Sequence, residues 1–181
     1  SEAALADFDD RPDATERQVR ALSTLNLTRP VGAKFEYSNT NYNILGLVIE
    51  AVSGQSYADY IQKHVFNPLD MHHSYASKAI AQQNGLAVGH RYWFGHPFPV
   101  HNLSIPLGSL PSGQLISCAE DMAHYLILHL TGGCYGGLRI LSEAGIAELT
   151  RGVAEWREMG ILIGHYGMGW VSQNIGASRI I

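Results

Sequence analysis

A glycine-opened turn runs straight into one apolar helix over residues 32–54, and this stretch constrains the fold more than any other in the chain. Gly32 interrupts any helix upstream of it. Asn39 or Thr40 can cap the helix that starts there. Tyr42, Leu45, Ile49 and Val52 then recur at helical spacing until Ser53-Gly54 supplies a stop. Phe35, Glu36, Tyr37 and Ser38 lie in between. Tyr37 and Asn39 are therefore expected to project from a short turn pinned by a buried helix, a placement that suits residues acting on something outside their own element.

The chemistry of a Tyr-x-Asn pair is specific. A tyrosine phenol has a pKa of about 10, so it works as a base at neutral pH only with cations close by. An asparagine amide both donates and accepts, so it can hold a carbonyl while orienting a lysine. Taken alone, Tyr-Ser-Asn reads first as a loop tyrosine beside a helix cap, and only its flanks turn the reading toward function.

Further helices are expected on both sides. Thr15 and Gln18 form a capping box before Val19, Leu22 and Leu25, giving a helix over 15–27 that Arg29-Pro30 ends. Ser56 with Asp59 caps a helix over 56–66, and Pro68 stops it. Ser117 with Glu120 caps another over 119–131, ending at Gly132-Gly133, and Ser142 caps a last one over 142–150. Residues 72–112 lack sustained periodicity and hold an aromatic group of Tyr92, Trp93, Phe94 and Phe98; they read as a long loop that is functional or partly stranded, or whose aromatics cover a core edge. From Tyr166 to Ile181 the glycine, β-branched and aromatic residues read as strands. The expectation is a mainly α chain with minor β, residues 1–165 helical and 166–181 the first strands of a sheet.

Composition excludes several classes. A net charge of −4 without a Lys/Arg block gives no footprint for nucleic acid. The apolar run Ile44–Val52 carries Glu50 and is too short to span a bilayer. Two cysteines, Cys118 and Cys134, make no disulfide framework, although folding could bring them together. Among the nine histidines, His72-His73 are adjacent rather than helically spaced, and His90, His96 and His101 have no nearby thiolate or carboxylate. No metal is expected, and neither cysteine is expected to ligate one.

With its flanks, the central segment resembles the Tyr-x-Asn motif of the penicillin-recognising serine hydrolases, which include class C β-lactamases, D-Ala-D-Ala peptidases and related esterases. The matching residues are Gly32, Phe35, Tyr37, Ser38, Asn39, Tyr42, Leu45, Gly46, Ile49, Glu50, Ser53 and Gly54. Pro68-Leu-Asp-Met71 is similar to the family's Pro-Leu-Gly-Met turn, with Asp70 tolerating the glycine position. Gly113-Gln-Leu-Ile-Ser117-Cys-Ala-Glu-Asp-Met122 is similar to its Gly-Gly-Leu-x-Ser-Thr-x-x-Asp-Met run, departing at Gln114 and Cys118. Tyr166-Gly-Met-Gly-Trp170 is similar to its entry strand. The resemblance implies the helical lobe of a β-lactamase-like α+β fold. It implies acyl-enzyme chemistry on a small-molecule or peptide substrate, with Tyr37 and Asn39 as site residues and no metal or organic cofactor. An extracytoplasmic setting is implied by the resemblance alone.

The family's nucleophile lies in Ser-x-x-Lys, with a third motif on a sheet edge. Lys34, Lys63 and Lys78 are preceded three positions earlier by Val31, Tyr60 and Tyr75, so these residues contain no Ser-x-x-Lys. His165-Tyr166-Gly167 matches His-x-Gly literally but precedes the Gly-Trp strand, and is read as coincidence. The chain thus reads as the middle of a longer enzyme, inactive alone, with an unfinished sheet edge open to self-association. The rival reading is a non-catalytic binding or scaffold module that kept the fold.

Overall fold

A computed structural model of the chain describes residues 11, 13–27, 29–33, 35–100, 107–176 and 178–181. Helices and small antiparallel sheets alternate along it, an α+β arrangement. The chain forms two compact units, one of residues 1–26 and 38–121, the other of 27–37 and 122–181. The C-terminal strands begin at Ala154, ahead of the expected Tyr166.

In the first unit, helix α1 (Ala14–Ala21) follows Asp13, and no side chain caps it. The expected Thr15 box does not form; the helix starts one residue before Thr15, and Gln18 turns toward Asn43 of the next helix. A 3-10 turn over Leu22–Thr24 ends this segment, short of residue 27. Helix α2 (Asn39–Ser53) starts after Ser38 and stops where Gly54 takes φ +69°, a left-handed cap that glycine adopts without strain. Its buried positions are Asn43 and Gly46. The apolar spacing pointed to a different face: Leu45 and Val52 are 55% and 80% exposed. Small residues let the neighbouring chain approach the helix backbone closely, and Pro111 sits against Gly46.

Glu50 accepts the Tyr57 N–H at 2.8 Å and so fixes the corner into α3 (Tyr57–Ile61). Ser56 caps α3 by accepting the Asp59 N–H at 3.1 Å, an arrangement worth about 1 kcal/mol. The helix then widens into a π turn over Gln62–Phe66 and tightens into a 3-10 turn over Asn67–Leu69, which includes Pro68. Asp70 ends it at φ +53°, a conformation Asp and Asn tolerate through local hydrogen bonding. Phe66, Leu69 and Met71 from this segment are buried, with Ala14, Ala81 and Leu110 from elsewhere in the unit.

Residues 72–100 are partly stranded, one of the readings open to them, and also hold a helix that the sequence did not signal. Helix α4 (Lys78–Gln83) is capped by Ser77, and β1 (Gly89–Trp93) pairs with β2 (His96–Val100) in a hairpin. Tyr92, Trp93, Phe94 and Phe98 are all exposed on it. His101 lies outside the described residues. The short helix α5 (Leu110–Gly113) leads to α6 (Ala119–Leu130), which begins in the first unit and continues in the second.

In the second unit, α6 ends at Gly132 and Gly133, both at positive φ. A minimal hairpin of β3 (Cys134–Tyr135) and β4 (Leu138–Arg139) comes next. Helix α7 (Glu143–Leu149) is capped by Ser142, which accepts the Gly145 N–H at 3.0 Å. The strands β5 (Ala154–Glu158), β6 (Ile161–Tyr166), β7 (Val171–Ile175) and β8 (Ser178–Ile180) form a four-stranded antiparallel meander in chain order. A register shift at Trp156/Arg157 bends β5. No helix among the described residues is long and apolar enough to cross a membrane.

Candidate active site

Tyr37 closes the 27–37 segment of the second unit, where aromatic packing sets its position. Its ring meets the Tyr166 ring edge-on, with centroids 6.2 Å apart and planes at 89°. Phe35 lies against the same Tyr166 ring at 4.9 Å, and Trp156 meets it from β5 at 6.4 Å. Such edge-to-face and tilted pairs add about 0.5–1.5 kcal/mol each beyond area burial. Arg29 and Glu36 approach to 3.7 Å across the same loop. Tyr37 itself stays 56% exposed, so the platform holds the segment and leaves the phenol accessible.

Asn39 is the first residue of α2 in the first unit and is exposed. Ser38 precedes it in extended backbone, and its side chain makes no capping bond. The cap expected from Asn39 or Thr40 therefore falls one residue earlier and is backbone only. Both side chains of the Tyr-x-Asn pair are thus exposed and free of helix-capping duty.

The Ser117–Met122 run has a role that the sequence did not disclose. Ser117 does not cap α6. Its hydroxyl shares a 2.7 Å hydrogen bond with the Ser74 hydroxyl, and Ser74 donates to Asp121 Oδ2 at 2.6 Å. The His73 N–H donates to the same oxygen at 2.8 Å. Burial works to raise the Asp121 carboxyl, but hydrogen bonds from Ser74, from the His73 N–H and from the Cys118 thiol outweigh it and carry the group below its ordinary 3.8. Tyr75 and Ile116 exchange both backbone bonds, at 2.8 and 2.9 Å. The turn after Met71 is therefore stitched to the approach to α6. The signal available was Asp121 itself, an acid in a first helical turn that proves almost wholly buried.

His165 lines a polar recess of about 280 Å³ in the second unit, with Arg151, Gly152, Ser172, Asn174 and Arg179. Packing explains the glycines here, including the one in the literal His-x-Gly match. A Cβ at Gly167 would stand 2.7 Å from the Arg151 carbonyl oxygen, and one at Gly152 would stand 2.4 Å from the His165 Cβ.

Comparison with known proteins gives this constellation its family. The family model described as Beta-lactamase matches residues 2–179. Penicillin-binding protein 4 of Amycolatopsis lactamdurans is 30% identical over 166 residues, covering 87% of this chain and 42% of that protein. Protein flp of Staphylococcus aureus strain MW2 is 33% identical over 112 residues, covering 62% of this chain and 22% of its own. The octameric penicillin-binding protein homologue from Pyrococcus abyssi superposes with TM-score 0.70 at 27% identity, covering 95% of this chain and 38% of that one. D-amino acid amidase from Ochrobactrum anthropi SV3, solved with L-phenylalanine amide, has the same fold over 99% of this chain and 51% of its own, with TM-score 0.72 at 18% identity. The chain spans less than half the length of these curated relatives. It belongs to the Beta-lactamase family.

Proposed function

We propose that residues 1–181 are the part of a serine hydrolase that carries its Tyr-x-Asn motif, and that the whole protein cleaves an amide, lactam or ester through an acyl-enzyme. The observation that carries this reading is the Tyr37 phenol, more than half exposed on an aromatic platform, two residues before an exposed Asn39. Relatives named as a penicillin-binding protein and a D-amino acid amidase support amide and lactam carbonyls as the substrate class.

In this mechanism a serine and a lysine from outside these residues complete the site. The serine oxygen attacks the substrate carbonyl carbon, and its proton passes to Tyr37, as phenolate, or to the lysine. The tetrahedral intermediate collapses as that proton is handed to the leaving nitrogen or oxygen, and water then releases the acyl group by the reverse sequence. Asn39 holds the substrate carbonyl and the lysine through its amide. The finer architecture belongs to the same reading: the helices form one lobe, and the meander starts a larger sheet whose edge pairs with further strands or another copy.

A serine-directed acylating probe read by intact mass tests it on two proteins. The 181-residue chain should not label, and the full-length protein should take up one equivalent. Tyr37→Phe should slow turnover of the full-length protein by roughly 10²–10⁴. Asn39→Ala should mainly weaken productive positioning, since it removes a hydrogen-bonding group and not a proton carrier. Stoichiometric labelling of the short chain would reveal a nucleophile inside it. No labelling of the full-length protein would favour the non-catalytic binding module.

A further inference from the structure

His73, Cys118 and Asp121 come from two segments far apart in sequence, and the fold brings one donor atom of each within 4.8 Å of the others. We infer that this trio is a binding site for a divalent cation of the zinc type. The inference does not rest on the hydrolase reading.

The arrangement of Asp121 is the main argument. One carboxylate oxygen, Oδ2, is held by the His73 N–H at 2.8 Å and the Ser74 hydroxyl at 2.6 Å. Ser74 is in turn fixed by Ser117. The other oxygen, Oδ1, faces the His73 ring nitrogen Nδ1 at 3.9 Å, too far for a hydrogen bond. The Cys118 sulfur lies within 4.8 Å of the same carboxylate. A metal-ligating carboxylate is commonly oriented this way, one oxygen tied down by outer hydrogen bonds and the other presented to the ion.

Size and donor type select the ion. Zinc takes thiolate sulfur at about 2.3 Å and imidazole nitrogen or carboxylate oxygen at about 2.0–2.2 Å, in tetrahedral geometry. That geometry needs donor atoms roughly 3.2–3.7 Å apart, so the trio must contract by about 1 Å. His73 can supply the movement, because its side chain is 65% exposed while Asp121 is fixed. One sulfur, one nitrogen and one oxygen donor favour zinc or cobalt over magnesium or calcium, which prefer oxygen alone. Three protein ligands leave the fourth position to water. On binding, the Cys118 S–H bond breaks, its proton goes to solvent, and the sulfur electron pair forms the metal bond; affinity therefore rises with pH. Sequence spacing concealed the site because the histidine sits in the turn after Met71, while the other two donors flank the start of α6.

Cobalt(II) titration of the purified full-length protein tests the assignment, since thiolate ligation gives a sulfur-to-cobalt charge-transfer band and tetrahedral coordination gives intense d–d bands. One equivalent should saturate both signals and release one proton, and zinc should displace the cobalt. Cys118→Ser should abolish the charge-transfer band, whereas Cys134→Ser should keep it. Ser74→Ala, which loosens Asp121 without touching the ion, should lower affinity roughly 10–100-fold. Cys118→Ser removes only a half-buried thiol, and its melting curve without metal checks that it folds. Absence of a charge-transfer band in the unmodified protein would overturn the site. So would a band that survives Cys118→Ser, or cobalt uptake of several equivalents with no thiolate signal, which would mean scattered histidine binding.

Discussion

Gly46 of α2 and Pro111 of α5 pack so closely that a β-carbon at position 46 would stand 2.3 Å from the proline Cγ and 2.7 Å from its Cβ. Glycine in a helix interior ordinarily costs about 1 kcal/mol relative to alanine. Here it is what lets the α5 segment lie against α2. The proline ring has no rotamer that swings it clear, so an added methyl must push backbone.

Gly46→Ala is therefore expected to destabilise the protein despite its better helix propensity. Overpacking of about 1–3 kcal/mol should outweigh the propensity gain of about 1 kcal/mol. Differential scanning calorimetry should show a lower melting temperature. Val48→Ala, at a position 50% exposed on the same helix, should change little by comparison. Equal or higher stability in Gly46→Ala would mean that α5 yields easily.

The β1–β2 turn gives a prediction of the opposite sign. Phe94 and Gly95 both have positive φ, at 48° and 79°, as a two-residue hairpin turn of the primed kind requires. Phenylalanine is poorly suited to that conformation, and its ring is 89% exposed with Trp93 beside it, at 5.4 Å. Phe94→Asn should relax the turn and raise stability by about 0.5–1 kcal/mol, read by denaturant titration. Loss of stability would show that the Trp93–Phe94 contact matters more than the backbone.

The same turn explains part of what the sequence concealed. Hairpins announce themselves through Asn-Gly or Asp-Gly. This chain uses Phe94-Gly95 and Met159-Gly160, the latter at φ +48° and +82° between β5 and β6. Both hairpins were therefore unreadable from their turn residues. Local chemistry was legible where it acts locally: the Ser56 and Ser142 caps, the Gly54 stop and the glycine pair after α6 all stand where their residues placed them. Signals failed where a distant partner competes. Ser117 looked like a cap, but Ser74 takes its hydroxyl. Gly46 and Asn43 replaced the Leu45–Val52 stripe as the packed face of α2, because closeness of approach decided that interface and apolar character did not. Tyr37 was legible by motif alone. Its ring partner Tyr166 lies too far along the chain for any local pattern to pair them.

His129 sets a pH dependence. Its ring lies 4.5 Å from Trp170 and 4.7 Å from Tyr125, and both ring nitrogens are buried without a hydrogen-bond partner among the described residues. Burial lowers its pKa from 6.5 by disfavouring the imidazolium. With the folded value below the unfolded one, the unfolded chain binds the proton first as pH falls. The stability that the neutral ring contributes is therefore complete above about pH 6.5 and is lost as pH falls through the folded pKa. His129→Phe keeps the aromatic packing and removes the proton. Between about pH 7 and pH 5, a window spanning the ordinary histidine pKa, its melting temperature should fall less than that of the unmodified protein. Parallel pH profiles would show that His129 does not contribute.

On the proposed acyl-enzyme mechanism, Tyr166 should act on catalysis through Tyr37 without touching substrate. Its ring is the common neighbour of Phe35, Tyr37 and Trp156, so removing it leaves the Tyr37 segment without its platform. A misplacement of about 1 Å at a reacting group can cost about a hundredfold in rate. In the full-length protein, that mechanism expects Tyr166→Ala to slow acylation by about 10–100-fold. Tyr166→Phe, which keeps the ring, should retain most of the rate. The double mutant decides whether the effect passes through Tyr37. Once Tyr37→Phe has removed the phenol oxygen, its position no longer matters, so adding Tyr166→Ala should cost much less than it does alone. Single-turnover acylation rates of the unmodified protein, the two single mutants and the double mutant measure this coupling. Additive losses would place the role of Tyr166 elsewhere, in the stability of β6 or in a substrate contact of its own.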